Sequence, residues 1–288
     1  MRRALVLGGG GAVGIAWETG ICAGLLAGGV DVREADVIVG TSAGSVVGTS
    51  LAHGSDPRDL FEEQRRPREA PPAVPGRDMA EVAAIFRLWT SFDDMTEAAC
   101  KEVGAAAVSA STVPEEQWLA TFASRGWPGW PAKPLLVTAV DCATGAFKAF
   151  DAQSAVPIVH AVTASCSVPG LAPPVTIDGR RYMDGGVRSG TSADLAQRIE
   201  PDVVLIVAPM GRRDGGVDRL AAKQLAREMG ELEAAGVGVH LVQFDDVTKQ
   251  LVGQNLMNPA SAPPAAEAGL AHGQRLAVDL RRWWRQPR

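Results

Sequence analysis

Cysteine is scarce in this sequence: four residues in 288 (Cys22, Cys100, Cys142 and Cys166), far apart and with no CxxC pair. That spacing excludes a disulfide framework and a zinc knuckle, and a reducing, cytoplasmic compartment is expected. An excess of positive charge is also missing. The 28 Lys and Arg residues stand against 33 Asp and Glu, a formal net charge of -5. No global field is therefore available to hold nucleic acid or an anionic membrane, and any contact with a lipid surface is expected to be local and transient. No uninterrupted apolar stretch approaches the roughly 18 residues that span a bilayer. Arg2-Arg3 before an apolar run imitates a signal peptide, but the run is dominated by glycines at 8–11, meets Glu18 and lacks a small-residue cleavage site. There is no internal repeat. With 46% hydrophobic and 21% charged residues, the chain is expected to bury one core as a single domain over residues 1–288.

Hydrophobic periodicity gives the organisation. Residues 4–7 read as a short buried strand, 12–26 as a helix, 36–39 as a second strand and 45–53 as a second helix, the start of a parallel sheet covered on both faces. Asp56-Pro57 opens a charged helix to about 66, and four prolines over 67–78 make an extended loop. Helices follow at about 79–89, 96–108 and 114–125, the last announced by Thr112 and Glu115 at capping-box spacing. Strands are expected at 135–140 and 146–150, then a helix at 154–164 and a hairpin of 175–177 and 181–183 turning at Asp178-Gly179. Apolar runs at 203–207 and 237–244 read as central strands, with Leu225, Met229 and Leu232 as the buried stripe of the helix between them.

Three segments carry chemistry. Gly40-Thr41-Ser42-Ala43-Gly44 is a GxSxG sequence between an apolar strand and a helix. Small residues on both sides of Ser42 permit a sharp turn that exposes its hydroxyl at a helix N-terminus, where N–H groups favour the oxyanion formed on attacking an ester. Gly8 to Gly11, followed by Gly14, allow several backbone N–H groups to turn toward one small anion. Gly9, Gly10 and Gly11, with the N–H of Ala43, are the expected oxyanion donors. The same glycines match a dinucleotide fingerprint, which requires an acid at the tip of the second strand; here Asp31, Glu34 and Asp36 all precede that strand.

Serine needs a base. Arg181-Tyr182-Met183 leads as a strand into Asp184-Gly185-Gly186, a tight turn that aims a carboxylate out of a sheet end. Asp214-Gly215-Gly216 has the same letters but lies in a charged surface loop. Chain order also admits His240 or His272 after Asp184; the first sits in a strand pattern and the second on a terminal helix, contexts of structural histidines.

In combination these motifs resemble the patatin-like phospholipases and related lipid acyl hydrolases, whose signature is a Gly-rich oxyanion loop, a GxSxG elbow about one βα unit later, and a DGG or DGA turn carrying the aspartate of a Ser-Asp dyad. The matching segments are Gly9 to Gly14, Gly40 to Gly44 and Asp184 to Gly186, with the small-residue segment 163–170 ahead of the aspartate. The resemblance covers about 4–208, leaving a C-terminal strand and helices at about 217–285. It implies a three-layer α/β/α sandwich with a mainly parallel central sheet, and hydrolysis of a lipid or other acyl ester with neither metal nor organic cofactor. Two departures stand out. Val13 replaces the family's usual Arg or Lys, so neutral esters are expected to compete well against anionic phospholipids, and 187–190 lacks the asparagine often found there.

Two other readings stay open on sequence: an acyltransferase with the same dyad, and a nucleotide-binding module that uses the Gly-rich loop alone. Met79, Val82, Ile85, Phe86, Trp89 and Phe92 form one apolar face that reads as core packing, with an active-site cover or a membrane-facing helix as alternatives. Arg281-Arg282-Trp283-Trp284-Arg285 reads as a tryptophan pair capping the core beneath solvated arginines.

Overall fold

The computed structural model describes residues 1–66, 78–211 and 215–285. Its strands are β1 (Arg3–Leu7), β2 (Val37–Gly40), β3 (Leu135–Asp141), β4 (Phe147–Phe150), β5 (Val175–Ile177), β6 (Arg180–Asp184), β7 (Val203–Ala208) and β8 (Gly238–Gln243). The sheet order is β5-β6-β3-β2-β1-β7-β8, with β4 also pairing β3. The strands from β3 to β8 along this order run parallel, whereas β4, β5 and β6 join antiparallel. The sheet is thus parallel at its centre and mixed at one side. The antiparallel return has a consequence for the site: β6 runs back along β3 with Asp184 opposite Ala139, while Gly40 at the end of β2 lies opposite Val137.

Ten helices cover the sheet: α1 (Gly11–Ala27), α2 (Ala43–Ala52), α3 (Pro57–Arg65), α4 (Met79–Ser91), α5 (Glu97–Ser109), α6 (Glu115–Ala123), α7 (Ile158–Ser165), α8 (Gly216–Ala234), α9 (Asp246–Val252) and α10 (Ala262–Arg285), counted among the described residues. Each central strand is buried on both faces, which is why these strands read as continuous apolar runs. In β1, Leu5 and Leu7 enter the core shared with Trp17 and Ile21 of α1 and Trp284 of α10, whereas Ala4 and Val6 enter a second core with Leu225 and Leu232 of α8. These two cores, on opposite sheet faces, make the three-layer α/β/α architecture.

Helices α1 and α10 meet through glycines. A Cβ on Gly20 would strike the Ala266 carbonyl, one on Gly24 the Leu270 carbonyl, and one on Gly273 the Ile21 carbonyl. Backbone-to-backbone approach of this kind needs residues without side chains along both helices. At the end of α10, Trp284 is fully buried and donates its indole N–H to Asp31 O at 3.1 Å, and Arg281 donates to Gly28 O.

Two local expectations are corrected. The capping box at Thr112 and Glu115 does not form: Pro114 precedes α6, and the Glu115 carboxylate crosses to the Thr176 N–H (2.5 Å) and hydroxyl (2.9 Å) of β5. The helix expected from 154 begins at Ile158, because Pro157 disfavours helical geometry in the residue before it, and Ser154 instead closes a turn onto Asp151. The hairpin of β5 and β6 forms at the expected turn, with positive φ at Asp178 (50°) and Gly179 (72°). The proline-rich loop over 67–77 and the Asp214 turn residue lie outside the described residues.

Candidate active site

Ser42 stands at the C-terminal end of β2 and the N-terminus of α2, at φ 52° and ψ -117°. A non-glycine residue held there costs of the order of 1–3 kcal/mol and persists only where the surroundings fix it. Several contacts do so. The Ser42 N–H donates to Ser165 Oγ at 2.9 Å, Ser45 Oγ donates to Ser42 O at 2.7 Å, and a Cβ on Gly44 would collide with the Leu7 carbonyl. A serine at a helix N-cap ordinarily turns its hydroxyl onto the N–H groups of the first turn. Ser42 makes no such bond, so its hydroxyl is not tied to its own helix.

Asp184 ends β6, and its N–H donates to Ser167 O at 3.0 Å. Its Oδ1 accepts the Gly186 N–H at 2.7 Å, and Oδ2 is buried with no hydrogen-bond partner of good geometry. Burial pushes the carboxyl up to about 7, against the smaller, opposing effects of the Ser42 hydroxyl and the Gly186 N–H. Such a group can accept a proton near neutral pH and give it back.

The Gly-rich loop lies beside the serine. Gly9 departs from the expectation for an oxyanion donor, because its N–H is committed to Gly190 O at 2.8 Å, joining this loop to the segment after Asp184. The N–H groups of Gly10, Gly11 and Ala43 have no partner among the described residues, and Gly11 and Ala43 open α1 and α2. Gly14 packs against the Ala43 Cβ and Pro209, and Gly40 against the backbone of Gly44 and Ser45, so these motif glycines serve close packing. Gly185 is pressed against Thr138 of β3 in the same way.

Ser42, Asp184, Gly186 and Gly9 to Gly11 line one cavity of about 250 Å³. Its walls are mainly apolar, built from Phe86 and Trp89 of α4, Val168, Leu171, Met210, Val217, Leu256 and Met257, with Asp218, Gln254 and Asn255 as further polar lining. The apolar face of α4 is therefore a wall of the site, with Val82, Ile85 and Trp89 buried and only Met79, at 65%, strongly exposed among the buried-face candidates. His240 and His272 do not line this cavity. His240 packs on Trp283 and His272 on Trp17, and burial lowers the pKa of both. The acids before β2 are engaged elsewhere: Asp31 pairs with Arg33, Asp36 accepts the Arg3 N–H, and Glu34 lies near the Arg3 guanidinium.

Val13 requires a correction. It is fully buried in the core with its N–H on Leu256 O at 3.0 Å, and its side chain does not line the cavity. Sequence reasoning also missed residues that build the site. Ser165 holds the elbow, Ser167 holds Asp184, and 254–257 close the cavity from the C-terminal part of the chain. The run of small residues over 163–170 was the one signal for the first two; nothing local in 254–257 marks them.

Among known proteins, the model of the patatin-like phospholipase family matches residues 5–196 of the 288. The solved structure of VipD from Legionella pneumophila is 15% identical with a TM-score of 0.49, covering 96% of this chain and 67% of that one. That of the type III effector protein ExoU is 16% identical with a TM-score of 0.37, covering 94% of this chain, which spans about half (53%) of ExoU. No curated protein matches. Among the described residues no helix is long and apolar enough to cross a membrane, and no cluster of His, Cys, Asp or Glu could hold a metal ion.

Proposed function

This chain belongs to the patatin-like phospholipase family, and from that premise we propose that it is a serine acyl hydrolase that cleaves a carboxylic ester of a lipid through a Ser42–Asp184 dyad. The observation that carries this reading is the buried Asp184 carboxyl, pushed up to about 7, beside a serine hydroxyl that caps no helix. Asp184 takes the proton as Ser42 Oγ bonds to the ester carbonyl carbon. The oxygen of the tetrahedral intermediate gathers negative charge and is held by the N–H groups of Gly10, Gly11 and Ala43, at two helix N-termini. The ester C–O bond then breaks, and the departing alcohol takes the proton from Asp184. Water attacks the acyl-Ser42 ester, passing its proton to Asp184; the acid leaves and Ser42 recovers its hydrogen.

The apolar walls support an acyl chain as the bound group, since each buried methylene contributes about 0.8 kcal/mol. Lipid hydrolysis is the family's chemistry; the serine mechanism is tested by Ser42→Ala. Hydrolysis of p-nitrophenyl and acylglycerol esters should fall to the background rate in this variant, with the circular-dichroism spectrum retained. Hydrolysis at the wild-type rate would exclude the serine mechanism.

A further inference from the structure

Glu228 is 1% exposed and lies on α8, beyond the residues that the family model matches. Its carboxylate turns toward the segment after Asp184. Oε2 accepts the Thr191 hydroxyl at 2.7 Å and the Ala193 N–H at 2.8 Å, and Oε1 accepts Gln224 Nε2 at 3.4 Å and lies 3.8 Å from the Arg188 guanidinium. Arg188 is itself fixed by a two-point pair with Asp194 at 2.9 and 2.7 Å and by stacking over Phe147 at 4.5 Å. A carboxylate this buried is costly unless its oxygens are satisfied, and here they are satisfied by the segment 188–194 and by Gln224.

That segment touches both halves of the site. At one end it leaves Asp184 through Gly185 and Gly186. Near the other, Gly190 O receives the Gly9 N–H at 2.8 Å, Thr191 O receives the Thr41 hydroxyl at 3.4 Å next to Ser42, and a Cβ on Gly8 would lie 3.0 Å from Gly190 O. Ser192 takes a left-handed conformation, φ 51°, in the middle of it. A left-handed non-glycine residue needs external restraint, and the bonds to Thr191 and Ala193 bracket it.

We propose that Glu228 is a positioning residue for the acyl-transfer reaction: by holding Thr191 and Ala193 it sets the place of the Asp184 carboxylate and of the Gly-rich loop relative to Ser42. It touches neither substrate nor reacting atoms. The proposal rests on the Ser42 mechanism above, and the test separates the two. Wild type, Glu228→Ala, Glu228→Gln, Thr191→Val and a surface control, Glu231→Gln, are titrated to completion with a fluorophosphonate, and kcat is expressed per labelled serine.

Displacements of about an ångström at a reacting group cost up to about a hundredfold. Glu228→Ala should therefore lose about tenfold or more in kcat per titrated site and in the rate of labelling, with KM within about twofold. Glu228→Gln, which keeps an acceptor for Thr191 and Ala193, should recover most of that loss. Thr191→Val should lose part of it, and should do so even if Glu228→Ala fails to fold. Glu231→Gln should match the wild type. A merely structural glutamate would lower the yield of labelled protein and the melting temperature but leave kcat per labelled serine unchanged; that result in Glu228→Ala, or in Thr191→Val if the former is insoluble, overturns the proposal. A wild type that neither labels nor hydrolyses esters overturns the Ser42 mechanism and this inference with it.

Discussion

At the scale of single residues, the proposed dyad rests on a carboxyl kept in an unfavourable place. Asp184 ordinarily titrates at 3.8 and is pushed up to about 7 by burial. Between those two values the folded protein holds a proton that the unfolded chain has released. The contribution of Asp184 to stability is therefore greatest below about pH 4, falls as pH rises toward 7 and is constant above. The side-chain amide introduced by Asp184→Asn does not titrate, so that variant should gain on the wild type by about 2–4 kcal/mol between pH 4 and pH 8 in urea unfolding. Glu18, fully buried, is likewise held well above the carboxylate range by desolvation, which outweighs the opposing effect of the Gly8 N–H, but it is present in both proteins and cancels. The same variant should lose about a hundredfold or more in turnover. A stability difference that stays flat across this range would mean that Asp184 is ionised throughout and not a tuned base.

At the scale of elements, close packing decides what each helix tolerates. Gly24 of α1 and Gly230 of α8 are both helical glycines, and replacing either by alanine adds helix propensity of up to about 1 kcal/mol. Their surroundings differ. A Cβ on Gly24 meets the Leu270 carbonyl and the Gln274 N–H of α10, which are backbone and cannot swing away, whereas one on Gly230 meets nothing within 4 Å. Gly24→Ala should thus destabilise by about 1–3 kcal/mol through overpacking, and Gly230→Ala should stabilise by up to about 1 kcal/mol. Thermal unfolding of the two variants reads both signs; a stabilised Gly24→Ala would show that α1 and α10 lie farther apart than described. The sequence carried little warning of this contact, since glycines inside a helical pattern fit loops, bends or packing equally well. It showed α4 as an apolar face and read it as core packing; the folded chain buries Val82, Ile85 and Trp89 and also puts Phe86 and Trp89 on the cavity.

At the scale of the molecule, the order of motifs along the chain already contained the architecture of the site. A parallel strand ending in a GxSxG turn presents its serine at the carboxyl end of the sheet, and a strand returning antiparallel, as β6 does beside β3, can bring an aspartate to the same end. Both features follow from local patterns, the elbow glycines and the Asp178-Gly179 hairpin, which is why the placement of Ser42 and Asp184 on one cavity could be read from the sequence. What stayed hidden depends on distant partners. Val13 looked like a missing cation until its burial became visible, Gly9 looked like a donor until Gly190 claimed its N–H, and Glu228 carried no sequence signal because Thr191 and Ala193, the groups its Oε2 holds, lie 37 and 35 residues away. The central claim is that Ser42 is activated by a buried Asp184 near neutrality. Its most direct test is the rate of fluorophosphonate labelling as a function of pH, with the modified peptide identified by mass spectrometry. Because the ionised carboxylate is the base, the rate should rise about tenfold per pH unit below 7 and level off above it, with the adduct on Ser42 and the dependence lost in Asp184→Asn. An adduct on another residue, or a wild-type rate that ignores pH between 5 and 8, would contradict the account.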